Sequence, residues 1–210
     1  MKKIVTVVLV TLFNINICFA QINFPIERPI LKQGERWKTA TVDALTKIAT
    51  GWQEEIMIGV GADMLLTSVK TDGGAQSNLR YDLDTNRLTD IKGKLEKETK
   101  LSFPLEMGKS WKSRWEWINA NGREGRMEVT YKVLGSESIT VAAGSFDAVI
   151  VSGDGYWYNK TTGSSGRLVE KLWYAPQAKR IIRRTWLTRF ENGTLDQNIL
   201  YEAAEVEIKQ

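Results

Sequence analysis

Short segments rich in Val, Ile, Thr, Trp and Tyr recur along the chain about every ten residues, separated by clusters of Gly, Asn and Asp. Helical periodicity is scarce. This pattern is typical of an antiparallel all-β domain, so we predict a single-domain meander that forms a barrel, a half-open barrel or a sandwich. The predicted strands cover residues 35–43, 53–60, 63–70, 77–83, 87–100, 110–119, 123–134, 136–142, 145–158, 166–174, 179–190 and 194–208.

Residues 43–52 are the one place where a helix competes with a strand. Thr46, Ile48 and Thr50 are poor helix formers because their side chains branch at Cβ, and Gly51 ends the run. We therefore predict the end of a strand followed by a loop.

The stretch FPLEMGKSWKSRWEW, residues 103–117, carries three tryptophans at odd positions and charged residues at even ones. A three-residue loop, 120–122, with Gly122 in a left-handed bulge, puts apolar residues opposite each other on one face and opposite charges on the other. A two-residue turn would put charge against indole, so we predict the longer loop and an inward tryptophan row. The predicted pairs are Trp111 with Tyr131, Ser113 with Val129, Trp115 with Met127, Glu116 with Arg126 and Arg114 with Glu128.

The basic run KRIIRRTWLTR, residues 179–189, suggests a surface for phosphates or anionic glycans. A two-residue type I′ turn at Asn192 and Gly193 instead makes this run one strand of a hairpin whose charges are paired. We favour the hairpin and keep the anion-binding surface as the alternative. The predicted pairs are Arg189 with Asp196, Arg183 with Glu202, Arg180 with Glu205, Phe190 with Leu195, Trp186 with Ile199 and Ile182 with Ala203.

Residues 1–20 combine a positively charged start, a short apolar run and a small residue at Ala20, as a secretory signal peptide does. We predict cleavage after Ala20, which leaves one all-β domain over 21–210 in the periplasm or outside the cell. No later stretch has the roughly 20 apolar residues of a spanning helix, so we expect no transmembrane segment in that domain. An acyl anchor on Cys18 is the alternative, but the preceding residues lack the pattern of a bacterial lipobox.

Without its leader, the chain contains no cysteine and no histidine. Disulfides, thiol nucleophiles, Ser-His-Asp triads and metal sites built on thiolate or imidazole are therefore excluded. The formal net charge falls from +4 to +2 when Lys2 and Lys3 leave with the leader, which is too small to indicate nucleic-acid binding. We expect no metal, no cofactor and no nucleic-acid partner.

Catalysis in such a chain would need carboxylates, as in glycosidases, but most carboxylates of a strand-rich protein are solvated. The sequence therefore favours a protein that is not an enzyme. Residues 82–86 imitate the start of a calcium loop, yet Arg87 and Gly93 replace the glycine and glutamate that such a loop needs, so we predict a hairpin turn. The available carboxylates include Glu54, Glu55, Glu116, Glu124, Asp147 and Asp154.

Three motifs follow one another in the chain: FPLEMGKSW at 103–111, SESITVAAGSFDAVIV at 136–151 and LWYAP at 172–176. They resemble a group of uncharacterised exported bacterial β-proteins with the patterns F-P-L-x-x-G-x-x-W, V-x-V-P-A-G-x-F-x-A and W-Y-A-P. Ala142 departs from this pattern, which has proline there. The resemblance implies an antiparallel β architecture but no activity. The motifs are typical of scaffold, with turns at Gly108 and Gly144 and apolar anchors such as Phe103.

Three functions remain open at this point. The first is a non-catalytic envelope domain that acts by binding or assembly. The second is a carrier of an apolar, lipid-like molecule in a barrel cavity, with that molecule or an envelope component as partner. The third is carbohydrate binding, with or without hydrolysis, for which Trp157 between Tyr156 and Tyr158 is the best exposed platform. The residues predicted to contact a ligand are Trp111, Trp115, Trp117, Tyr131, Trp157 and Tyr158.

Overall fold

The computed structural model describes residues 22–209, so the predicted signal peptide, its cleavage site and Cys18 lie outside the described residues. Within that range the chain forms twelve β-strands. The strands are β1 (Arg36–Asp43), β2 (Ala49–Val60), β3 (Leu65–Thr71), β4 (Gln76–Tyr81), β5 (Arg87–Ile91), β6 (Lys94–Glu98), β7 (Ser110–Ile118), β8 (Glu124–Val141), β9 (Gly144–Asn159), β10 (Ser165–Ala175), β11 (Arg180–Phe190) and β12 (Leu195–Glu207).

One antiparallel sheet contains all twelve strands, in the order β6-β5-β4-β3-β2-β1-β12-β11-β10-β9-β8-β7. Neighbours in the sheet are neighbours along the chain, except that β1 pairs with β12. The prediction of an all-β single domain is confirmed, and the sheet is nearly closed into a barrel. Among residues 22–209, no helix is long and apolar enough to cross a membrane.

The two ends of the sheet, β6 and β7, meet along a seam where side chains replace ladder hydrogen bonds. The backbone N–H of Thr99 donates to the hydroxyl oxygen of Ser113 at 2.9 Å, and the Trp111 indole N–H donates to the Thr99 carbonyl at 2.9 Å. The backbone N–H of Glu116 donates to the Glu96 carboxylate at 3.0 Å. Polar side chains thus satisfy backbone groups that an open edge would leave unpaired.

The tryptophan hairpin follows the predicted register, and all of its predicted pairs occur between β7 and β8. Gly122 has a φ of 73°, as the three-residue loop with a bulge requires. Trp115 keeps only 7% of its surface exposed, so this part of the row faces inward as predicted. Glu116 lies opposite Arg126, but its ion pair is with Lys160 at 2.7 Å.

The basic hairpin has a different loop from the predicted one. The backbone N–H of Phe190 donates to the Thr194 carbonyl at 2.9 Å, and Gly193 has a φ of 82°, so the loop has three residues. Arg189 consequently pairs with Leu195 instead of Asp196. A bulge between Thr188 and Arg189 restores the predicted register for the part of β11 that runs from Arg183 to Thr188. The pairs Arg183 with Glu202 and Trp186 with Ile199 are therefore confirmed.

The predicted pair of Arg180 with Glu205 is wrong. Near Arg180, β11 contains one extra residue relative to β10. The ladder between β11 and β12 begins only at Arg183, so Arg180 has no partner in β12. Arg180 bonds to Glu55 instead, while Glu205 forms an ion pair with Lys38 at 2.9 Å. The predicted pair of Phe190 with Leu195 is also displaced by the longer loop.

Predicted strand 87–100 is in fact the hairpin of β5 and β6. Its two turn residues, Lys92 and Gly93, have φ values of 54° and 79°, the signs of a type I′ turn. Lysine is an unusual residue at such a position, so the turn carries a weak sequence signal. Residues 82–86 form the turn between β4 and β5, which confirms the prediction of a turn there.

The two strands predicted at 123–134 and 136–142 are a single strand, β8. Gly135 marks a bulge in this strand and does not end it. Past the bulge, the tip of the β8–β9 hairpin reaches β12, where the Ala143 backbone N–H donates to the Ala203 carbonyl at 3.1 Å. The predicted loop after β1 is confirmed only in part, because β2 begins at Ala49 and residues 49–52 are already strand.

Three clusters of buried apolar side chains stabilise the barrel. In the largest, the ring of Phe103 meets the ring of Tyr174 edge-on at 5.2 Å, and Leu105 is fully buried. The FPL and WYAP motifs therefore pack against each other. Gly108 and Gly144 have φ values of 79° and 132°, as residues beside tight turns often do. These motifs are parts of the scaffold.

Candidate functional site

A cavity of about 380 Å³ lies between the N-terminal strands and β11 and β12. Its lining includes several charged side chains, which are rare in protein interiors unless they are paired. Apolar residues such as Leu79, Leu101 and Ile181 contribute the rest of the wall. The charged residues considered below are Glu55, Arg87, Glu98, Lys100, Arg180 and Arg184.

Arg180 and Glu55 form an ion pair at one side of this cavity. The Tyr81 hydroxyl donates to the same carboxylate oxygen at 2.8 Å, and the Gln53 amide donates to the other oxygen at 2.7 Å. The guanidinium lies 4.8 Å from the ring centre of Trp37. Burial alone would lower the pKa of Arg180, but the adjacent Glu55 outweighs it and raises that pKa. The Glu55 carboxylate therefore has a donor on each oxygen.

The guanidinium of Arg184 is bound by the carboxylate of Glu170, which is fully enclosed. Its Nε donates to Glu170 at 2.7 Å, and the Tyr131 hydroxyl donates to the other Glu170 oxygen at 2.6 Å. The guanidinium lies 4.3 Å from the ring centre of Trp186 and 5.4 Å from that of Tyr201. Glu170 has no exposed side-chain surface, whereas Arg184 keeps 19% exposed. The guanidinium is thus fixed in orientation, with part of its surface on the cavity.

Lys100 and Glu98 form the third pair, with 2.7 Å between the ammonium nitrogen and a carboxylate oxygen. Burial would raise the pKa of Glu98, but Lys100 and Arg184 outweigh it and lower that pKa. Burial, and then repulsion by Arg184, lowers the pKa of Lys100 despite its pairing. Arg184 thus disfavours the charge on Lys100, and Glu98 remains a carboxylate.

The predicted ligand residues do not line this cavity. Trp115 and Trp117 line a smaller pocket of about 140 Å³ at the β6–β7 seam. Trp111 stacks on Tyr131 with 5.7 Å between the ring centres and 24° between the planes. Tyr131 is linked to the cavity only through Glu170. These aromatic residues mainly fill space next to the charged groups.

The predicted carbohydrate platform is not an exposed indole surface. Trp157 keeps 7% of its surface exposed and packs edge-on against Phe190, with 5.3 Å between ring centres. Its neighbours Tyr156 and Tyr158 lie on the outer face, 60% and 39% exposed, under the guanidinium groups of nearby arginines. The structure therefore separates Trp157 from the two tyrosines that flank it in the sequence.

The sequence contained one usable signal for the cavity residues. Arg184 lies two positions before Trp186 in the same strand, so the two side chains share one face of the sheet. Because the predicted register places Trp186 on the apolar face, it also implies that Arg184 points inward. Tyr201 lies opposite Arg184 in that register. Glu98 and Lys100 gave no such signal, because the predicted strand 87–100 did not contain the turn that orients them.

Residues 22–209 contain no cluster of three or more Asp, Glu, His or Cys side chains that could hold a metal ion. At the calcium-like stretch, Asp82 accepts a hydrogen bond from the Asn86 backbone at 2.8 Å. Its other oxygen lies 3.4 Å from the Lys97 ammonium nitrogen. This carboxylate thus serves the turn between β4 and β5.

No protein-family model matches the chain, and no curated protein is significantly similar to it. Two solved structures each cover 88% of this chain and 100% of their own length. One is a Bacteroides fragilis protein assigned as exported, with a YmcC-like fold, at 12% identity and a TM-score of 0.58. The other is a Parabacteroides distasonis protein assigned as a lipoprotein, at 11% identity and a TM-score of 0.60. At these identities the likeness shows a shared fold.

Proposed function

We propose that this chain is an exported, non-catalytic binding domain of the cell envelope that holds one small molecule inside its barrel. The observation that carries the proposal is the cavity of about 380 Å³ with its converging charged side chains. Export is supported by the leader-like residues 1–20 and by the fold shared with proteins assigned as exported or as lipoproteins. We also propose that the chain belongs to the group with the F-P-L-x-x-G-x-x-W pattern.

Binding accounts for the cavity better than packing does. Protein interiors are usually filled as densely as organic crystals, and ion pairs removed from water usually contribute little net stability. Here an open space and three ion pairs occupy the same region, next to apolar clusters that already stabilise the sheet. Departures of this kind from efficient packing are typical of functional sites.

The carboxylates of the cavity do not suit hydrolysis of a glycoside. Such an enzyme needs one carboxylic acid that stays protonated, with a raised pKa, beside an ionised partner. Glu98 has a lowered pKa, and Glu55 is paired with Arg180. Both therefore act as counter-ions, which supports a binding role.

A wholly apolar ligand suits this cavity less well than a ligand with a polar group. Placing hydrocarbon against Lys100, Arg184 and Glu98 would remove water from charged groups without giving them new partners. A short apolar part still has a place against Leu79 and Leu101. We therefore propose a polar or amphiphilic small molecule in place of a lipid chain alone.

The test is to isolate the protein from the periplasm of a Gram-negative host and identify bound small molecules by native mass spectrometry. Thr41 lines the cavity, so Thr41→Trp should fill it and abolish the bound species. Thr130→Trp, on the exposed surface of β8, is the control and should retain it. The proposal fails if the wild type carries no ligand and no compound of a metabolite library raises its Tm more than that of Thr41→Trp.

A further inference from the structure

Among the charged side chains that line the cavity, unused N–H donors outnumber unused carboxylate oxygens. Arg184 uses only Nε, towards Glu170, so its Nη1 and Nη2 have no hydrogen-bond partner among residues 22–209. The Lys100 ammonium has one partner, Glu98, and retains donors for others. Arg87 forms neither an ion pair nor a side-chain hydrogen bond within that part of the chain. Three cationic groups therefore have unused N–H groups.

Most carboxylate oxygens of the same region are already occupied. Both oxygens of Glu55 accept hydrogen bonds, from Tyr81 and Gln53 among others. Both oxygens of Glu170 accept as well, from Tyr131 and Arg184. Among these carboxylates only Glu98 keeps an oxygen that accepts no hydrogen bond from the described residues. A ligand that supplies acceptors would pair with the unused N–H groups, whereas a cationic ligand would find few unoccupied carboxylate oxygens.

Repulsion among the cationic side chains of the cavity also favours a ligand with a negative charge. Arg184 disfavours the charge on Lys100 and so lowers the pKa of that ammonium group, and neither side chain has much water around it. Arg87 lies opposite Glu98 in the β5–β6 ladder and lines both the cavity and the seam pocket. An anion placed among these cations would relieve the repulsion and form charge-assisted hydrogen bonds.

We infer that the ligand of the cavity carries an anionic head group, a carboxylate or a phosphate, bound by Arg184, Lys100 and Arg87. Arg184 is the anchor, because Glu170 and the rings of Trp186 and Tyr201 fix its guanidinium before the ligand arrives. The apolar wall then receives a short hydrocarbon part. This inference rests on the proposed function and names the class of its ligand.

The experiment measures binding of four probes of one chain length, hexanoate, hexyl phosphate, hexanol and hexylamine, by isothermal titration calorimetry after any bound ligand has been removed. The wild type should bind the two anions and neither of the others, and inorganic phosphate alone separates the head group from the chain. Arg87→Gln and Lys100→Gln should each weaken anion binding about tenfold, since each removes one charge-assisted hydrogen bond.

Lys132→Gln removes the same charge from the exposed surface of β8 and should leave anion affinity unchanged. The circular dichroism spectrum of each variant shows whether it is folded, and Arg87, which has no partner to lose, should tolerate substitution best. Binding of hexanol or hexylamine in preference to the anions overturns this inference but leaves the proposed binding function standing. Equal loss of anion affinity in Lys132→Gln and Arg87→Gln overturns it as well, because the attraction would then be a general effect of net charge.

Discussion

Charged residues of this protein differ sharply in what surrounds them, although their sequence contexts look alike. Glu170 follows Val169 in a strand, just as Glu128 follows Met127, yet only Glu170 is completely enclosed. Its two oxygens accept from Tyr131 and from Arg184. A buried carboxylate of this kind is tolerated because it has a counter-ion and donors on both oxygens, and the loss of one member of the ion pair leaves the other charge without compensation.

We predict that Glu170→Gln lowers the free energy of unfolding by about 3 kcal/mol, because Arg184 would keep its charge and lose its counter-ion. Glu128→Gln, at an exposed pair with Arg114, should change it by less than about 0.5 kcal/mol. Urea unfolding followed by tryptophan fluorescence measures both. Similar losses in the two variants would show that the enclosed pair contributes no more than a surface pair does.

The register of a hairpin was predictable where alternative loop lengths placed different side chains opposite each other. In the tryptophan hairpin, one loop length put charge against indole and the other did not, so the register followed from the sequence. In the basic hairpin the same Asn-Gly pair fitted two loops, and a bulge after Thr188 made the longer one compatible with most of the predicted pairs. The β5–β6 turn was missed because Lys92 adopts a conformation that glycine or asparagine usually occupies.

At the scale of elements, the seam between β6 and β7 depends on a few side chains. Ser113→Ala removes the acceptor of the Thr99 backbone N–H, which should destabilise the protein by about 1 kcal/mol and speed hydrogen exchange of the Thr99 amide about tenfold. Ser68→Ala is the control, since this half-buried serine in β3 makes no side-chain hydrogen bond within the described residues. Unchanged exchange at Thr99 in Ser113→Ala would mean that the seam is held by other contacts.

The whole molecule explains why the site was not predictable. Glu55 and Arg180 are 125 residues apart in the chain, and they meet because β1 pairs with β12 and brings the two halves of the sheet together. Sequence patterns indicate which strands form hairpins, but the pairing of distant strands leaves no comparable local signal. The barrel and its cavity are therefore properties of the whole, nearly closed sheet, and the scaffold motifs give no hint of the charges that it encloses.

The contribution of the interior charges to the stability of the nearly closed barrel can be measured on the pair of Glu55 and Arg180. Arg180→Met alone leaves Glu55 without a counter-ion, and we predict a loss of about 3 kcal/mol in the free energy of unfolding. The double variant Glu55→Met/Arg180→Met removes both charges and should recover to within about 1 kcal/mol of the wild type, because apolar clusters elsewhere support the sheet. Urea unfolding of the two single variants and the double variant forms a complete cycle. A double variant as unstable as Arg180→Met would show that the pair itself stabilises the barrel, whereas recovery would mean that stability does not require this pair.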